Sequence, residues 1–207
     1  MLKSGTITAV STTLALVPAP ASAAAEPPAG SVKIELVAMN GTGCPVGTVR
    51  IESTEEHFRV YYSSYTAYAG GNQPPSDSRK SCRLTVRVAH PPGFTYGISR
   101  VDNQGFASLE EGASGTLRSS FSIFNRNPPA GRKNTIRGLY SDVWRFIEQS
   151  DIPEVPVKPC GERSNTTLAT ELQVDAGTSD PSKANLLSLD STDGSLGTYY
   201  FYYWQRC

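Results

Sequence analysis

Four cysteines, Cys44, Cys82, Cys160 and Cys207, constrain this chain more than any other feature. An even number of widely spaced cysteines in an exported protein reads as a disulfide framework. A zinc site would need close pairs such as C-x2-C backed by histidines. Here the nearest cysteines lie far apart, the only histidines are His57 and His90, and no ligand cluster is visible. Three connectivities are open to four cysteines. We expect the sequential one, Cys44–Cys82 and Cys160–Cys207. Each bridge then closes a loop of about 40 to 50 residues, worth ~4 kcal/mol in the chain-entropy view, less any strain. Cys207 is the last residue, so its bridge would pin a terminus that otherwise frays.

The N-terminus supports export. Lys3 gives a positive start, "ITAVSTTLALV" is a short apolar stretch, and "PAPASAAAEPP" carries Ala21 and Ala23 in an A-x-A arrangement. This reads as a secretory signal peptide over residues 1–23, cut after Ala23 or Ala25. The apolar stretch is too short and too polar to span ~30 Å of hydrocarbon, and no later segment is a candidate membrane span. Residues 24–31, "AAEPPAGS", are expected to be a flexible leader, and residues 32–207 one domain. A mature chain of roughly 180 residues can bury a sizeable core. With 19 basic and 19 acidic side chains there is no cationic excess for phosphates, so nucleic acid is not an expected partner.

The rest of the chain reads as β. "CRLTVRVAH" alternates cleanly, with Cys82, Leu84, Val86 and Val88 on one face and Arg83, Thr85, Arg87 and Ala89 on the other. That is a strand with one buried and one wet face. "VKIELVAM", "GTVRIES", "HFRVYYSSYTAY", "GTLRSSFSIFN", "TTLATELQVDAG" and "ANLLSLDST" read likewise, between Gly/Pro turns. "FTYGISRVDN" and "GFASLEEG" read as two strands joined near Asn103-Gln104-Gly105. "SDVWRFIEQS" is ambiguous and could form a helix-like turn capped by Ser141 or Asp142. The prolines of "DIPEVPVKPCG" forbid helix or central strand there. About ten short strands with little helix predict an all-β fold, a two-sheet antiparallel sandwich, jelly-roll-like, with two disulfides.

From Tyr199 to Trp204 every residue is aromatic. A strand sends alternate side chains to opposite faces. Tyr200, Tyr202 and Trp204 then enter the core, and Tyr199, Phe201 and Tyr203 point outward. A loop or the 141–150 segment could cover the outward set. Left open, it would be a platform on which flat rings stack against sugars, or an oligomer contact. Tyr61, Tyr62, Tyr65 and Tyr68 could line a groove with it. The candidate ligand residues are therefore Tyr199, Phe201, Tyr203, Tyr62 and Tyr65.

The motifs "NGTGCPVGTV", "SCRLTVRVAHPPGFTYGISRVDNQGFASLEEG", "PCG" at 159–161, "LDSTDG" at 189–194 and the terminal "WQRC" occur in an order and spacing that resembles the small secreted proteins grouped as domain of unknown function 4360. The resemblance implies export and the cysteine framework. It supplies no catalytic residues. At Asn103-Gln104 an aromatic and a basic residue are expected in relatives, so this chain departs from the pattern there.

G-x-S-x-G is absent, and bridged cysteines leave no thiol nucleophile. His57 and His90 read as surface residues. A glycosidase needs two carboxylates ~5 to 9.5 Å apart. Asp190 and Asp193 are one such pair, and they are also the weak calcium candidates, although one loop rarely supplies enough oxygens. In "LDSTDG" they read first as turn residues bonding to nearby backbone. Glu110 and Glu111 would point to opposite faces of a strand. Asn40 and Asn165 begin sequons, used only if the host glycosylates exported proteins. No cofactor is expected. The sequence alone thus leads to a secreted binding or structural protein at the cell surface or in the extracellular space, with an extracellular glycan or a cell-surface partner as the partner class, and alternatively to a polysaccharide hydrolase. The basic loop "NRNPPAGRKN" would suit an inhibitor or effector that docks on a partner protein.

Overall fold

The computed structural model describes Met1 and residues 26–124, 131–190 and 195–207. The signal-peptide reading, Asp193 and most of the "NRNPPAGRKN" loop lie outside the described residues. The described chain is all-β, with twelve strands and two single-turn 3-10 segments. The strands are β1 (Lys33–Asn40), β2 (Val49–Ser53), β3 (His57–Tyr62), β4 (Thr66–Ala69), β5 (Arg79–Ala89) and β6 (Phe94–Leu109). Then follow β7 (Ser114–Ser122), β8 (Arg132–Arg137), β9 (Tyr140–Gln149), β10 (Thr166–Asp175), β11 (Asn185–Ser188) and β12 (Gly197–Arg206).

Two antiparallel sheets result. The smaller runs β1-β5-β10-β7-β8. In the larger, the long strand β6 is the spine. One of its edges pairs with β12 and, further along, β11, while the other pairs with β9. β3 and β2 extend the sheet beyond β12, and β4 extends it beyond β11. The core lies between the sheets, where alternation sends Leu84, Val86, Leu168, Leu172 and Leu117 of one sheet against Phe58, Val60, Ile98, Val101, Leu187 and Tyr200 of the other.

The expected disulfides form. Cys44–Cys82 has Cα atoms 5.4 Å apart and is buried, and Cys160–Cys207 has them 5.7 Å apart and is exposed. The first ties the end of β1 to β5. The second ties the Pro-rich segment to the end of β12.

Three expectations need correction. The stretch "SDVWRFIEQS" is strand and not helix-like, since its alternation puts Trp144 and Phe146 inward along the β6 edge. The two strands expected around Asn103-Gln104-Gly105 are one strand of 16 residues. Gly105 is not a break there. A Cβ on it would lie 2.0 Å from the Ser188 carbonyl oxygen and 2.2 Å from the Trp144 ring, so glycine is what lets that ring lie across the strand. "HFRVYYSSYTAY" is two strands, β3 and β4, because the chain turns at Ser63-Ser64. That turn breaks the alternation and sends both Tyr62 and Tyr65 inward, at 4% and 0% exposure.

Candidate ligand-binding face of the larger sheet

β12 keeps strict alternation through the aromatic run. Tyr200, Tyr202 and Trp204 are buried, and Phe58 of β3 stacks on Tyr200 at a centroid distance of 4.8 Å. Tyr199, Phe201 and Tyr203 point to the other side and are half-buried. A register shift opposite Phe201-Tyr202 inserts one extra residue into β6, which lets that strand change phase while β12 does not.

The outward rings are interleaved with cations from neighbouring strands. Tyr199 pairs with Arg59 of β3 on one side and with Asp102 of β6 on the other. The Arg59 guanidinium sits 4.6 Å from the Tyr199 ring centre and 4.1 Å from that of Tyr61. Arg50 of β2 covers Tyr61 at 4.0 Å, and Arg100 of β6 covers Phe201 at 3.7 Å. Tyr199 and Phe201 stack on each other with an interplanar angle of 21°. Such cation–π contacts contribute about 0.5–1 kcal/mol each at exposed sites. They also fix the rings, so the surface is organised before any ligand arrives.

Carboxylates hold the cations in place. Asp102, only 1% exposed, accepts from Arg145 Nε at 2.9 Å and from its terminal nitrogen, and from Arg100 at 3.3 Å. Glu52 accepts from the Tyr61 hydroxyl at 2.7 Å and pairs with Arg50. Four guanidiniums, Arg50, Arg59, Arg100 and Arg145, thus share this face with two carboxylates, Glu52 and Asp102. His57 lies 5.5 Å and 5.3 Å from the Tyr199 and Phe201 rings. Burial, aided by Arg59 and Arg100 and opposed by Glu56, holds its pKa below the ordinary 6.5. At neutral pH it is an uncharged ring. Beside Phe201 a hollow of about 310 Å³ opens, bounded among others by Glu55, Glu56, Arg100 and Gln149.

The 141–150 segment does not lie over this face, whereas Glu26, before β1, reaches the hollow beside Phe201. The 141–150 segment is β9, alongside β6 in the same sheet, and the Pro-rich segment follows the β6 edge through a bridge between Gly97 and Val157. β12 is hydrogen-bonded to β3 on one side and β6 on the other.

Other candidates fall elsewhere. Tyr62 and Tyr65 are core residues and do not join the outward rings, which corrects the expected groove; Tyr61 takes that place. Asp190 accepts from Thr66 Oγ1 at 2.7 Å and from Ser188 Oγ, so it ties β4 to the end of β11 as a turn residue. No group of three or more His, Cys, Asp or Glu suited to a metal ion occurs among the described residues. Glu110 and Glu111 sit in the turn after β6, where Glu110 pairs with Lys183 at 3.0 Å. Asn40 is exposed at the end of β1 and Asn165 is half-buried before β10. Asn103, where the chain departs from its relatives' expected pattern, is fully buried. It donates to Ser119 Oγ at 3.4 Å and accepts from Thr198 Oγ1 at 3.0 Å. The sequence reading missed the arginines and His57. The alternation of "HFRVYY" carried the signal, since it places His57, Arg59 and Tyr61 on one face.

A secreted protein of Arthroderma benhamiae, itself uncharacterised, is 27% identical over 183 residues, which is 87% of this chain and 74% of that one. Among solved structures, TmCBM61 in complex with β-1,4-galactotriose is matched over 85% of this chain and 88% of that one, at 12% identity and a TM-score of 0.29. The enzymatically active domain of bacteriophage CBA120 tailspike protein 4 is matched over 86% of this chain and 20% of that one, at 8% identity and a TM-score of 0.20. Likenesses this slight carry no argument about fold or ligand. The family model "Domain of unknown function (DUF4360)" matches residues 30–207, and the chain belongs to that family.

Proposed function

We propose that this is an extracellular binding protein that holds a glycan on the outer face of its larger sheet. One observation carries the reading: Tyr61, Tyr199, Phe201 and Tyr203 lie outward in neighbouring strands, half-buried, and arginines cover the first three. Aromatic rings meet the C–H faces of sugars, while guanidinium and phenol groups bond to hydroxyls. The extracellular placement is supported by two disulfides, by the A-x-A signal pattern and by the name of the fungal relative. In this reading residues 1–23 are removed and residues 32–207 act as one binding domain.

The test is a pull-down of the mature, oxidised protein on insoluble chitin, cellulose, β-glucan and peptidoglycan. It is run beside a Tyr199→Ser/Phe201→Ser/Tyr203→Ser variant whose fold is checked by circular dichroism. We expect wild type to be retained on at least one polymer and the variant to lose retention at least tenfold. Tyr61→Ser, at the rim of the face, provides a milder second variant should the triple change not fold. Wild type that washes off all four polymers would sink the reading.

A further inference from the structure

A second site lies at the end of the sandwich. The turn between β5 and β6, "HPPGF", and the segment around Cys160 face each other across a cleft of about 890 Å³, the size of a small-molecule site. Val88, Pro91, Pro92 and Phe94 supply apolar wall. The Cys160–Cys207 bridge fixes one side of it. Lys158 also lines the cleft, yet it is only 4% exposed. Its ammonium donates to the Ser164 carbonyl and lies 4.8 Å from the centre of the Tyr96 ring. None of the ion pairs among the described residues includes it.

A cation taken out of water with one carbonyl and a π face for company is poorly compensated. The other charged groups facing the cleft do little to neutralise it. Arg87 comes from β5 and is engaged by Glu35 at 3.0 Å, His90 comes from the turn, and Glu162 and Arg163 come from the Cys160 segment. Among the lining side chains Lys158, Arg87 and Arg163 outnumber the one carboxylate, Glu162, and Cys207 adds the α-carboxylate of the last residue. An anion entering here would regain the energy that burial of Lys158 costs, and a ring on that anion would pack against the prolines and Phe94.

The geometry points to this cleft as a binding site for a ring-borne carboxylate, with Lys158 as the buried counter-charge. The ring is that of an acidic sugar or of an apolar carboxylic acid. The site is separate from the aromatic face, so neither proposal stands or falls with the other.

Burial lowers the Lys158 pKa to about 8, against a weaker opposing pull from Glu162. Affinity for a carboxylate must therefore be full below that pH and fall as pH rises through it. The experiment is a titration of the 15N-labelled, oxidised protein with galacturonate, cyclohexanecarboxylate and galactose, read by amide chemical shifts at pH 7 and pH 9.5. We expect saturable shifts at Gly93, Gly161 and Ser164 with a carboxylate and none with galactose. Affinity should fall at least tenfold at pH 9.5 and in Lys158→Met, with Lys158→Arg retaining it. Response to galacturonate alone identifies a sugar acid, and response to cyclohexanecarboxylate alone identifies an apolar acid. Shifts equal for galactose and galacturonate, shifts elsewhere in the molecule, or affinity unchanged at pH 9.5 would each overturn the proposal. The pH series needs only wild type, so it decides even if Lys158→Met does not fold.

Discussion

Tyrosine hydroxyls inside the sandwich are not equivalent. Tyr65 donates to Thr170 Oγ1 at 3.1 Å, and Tyr96 shares a 2.8 Å bond with Thr166. The hydroxyls of Tyr200 and Tyr202 have no partner among the described residues. A buried bond contributes about 1 kcal/mol, and an unpaired buried hydroxyl costs about 1–3 kcal/mol. Tyr65→Phe should therefore lower stability by about 1 kcal/mol. Tyr200→Phe should leave it unchanged or raise it, as read from urea midpoints. Glu148 gives a pH counterpart. It accepts from Ser119 Oγ at 2.7 Å and from Asn134 at 3.3 Å, yet burial outweighs these bonds and the nearby Arg132 and raises its pKa above the ordinary 4.5. The native state then holds this proton more tightly than the unfolded chain. Its contribution favours the fold below about pH 4.5 and is lost as pH rises through the raised value. Glu148→Gln should flatten the fall in stability between pH 4 and pH 7; an unchanged slope would refute the assignment.

Among elements, β6 and β9 form the contact on which the larger sheet most depends at one edge. Trp144 lies across Gly105, and Phe146 lies 5.0 Å from Trp144. Gly105→Ala must displace the ring or the β11 backbone. We expect a loss of about 1–3 kcal/mol by denaturant titration, the range for an over-packed core. β5 and β12 were legible in the sequence, because strict alternation over many residues has one interpretation. β9 was not, because Trp144, Phe146 and Glu148 inward fit a strand, while the same ten residues with an Asp near the start also fit a helical turn. The continuity of β6 was hidden for a related reason. Glycine beside Asn and Gln marks a turn in most chains, and only the neighbouring Trp144 ring, distant in sequence, explains it here. The inward turn of Tyr62 and Tyr65 depended on two serines whose turn shifted the phase, a change of parity that composition does not reveal.

For the whole molecule, the disulfides bracket the sandwich at different depths. The sequential cysteine pairing was expected from the sequence, and the fold realises it by laying β1 beside β5 and the Pro-rich segment beside the strand that pairs with β12. The candidate face was half legible: alternation gave the outward rings, but which strand lies beside β12, and hence which arginines cover them, is set by topology. The two bridges should differ in reactivity. Cys44 and Cys82 are 1% and 2% exposed, within the core, whereas Cys160 and Cys207 are both exposed. Thiolate attack on a disulfide needs access to a sulfur. Dithiothreitol at a concentration that leaves the fold intact should therefore open Cys160–Cys207 first, with Cys44–Cys82 reacting only as the protein unfolds. Alkylation followed by peptide mass mapping over time reads the order. Partial reduction should also loosen the end cleft, because its wall at Cys160 is then held by one fewer tie, while the aromatic face, built on β3, β12 and β6, keeps its arrangement. Simultaneous labelling of all four cysteines would instead mean that the sandwich opens as one cooperative unit before either bridge becomes accessible.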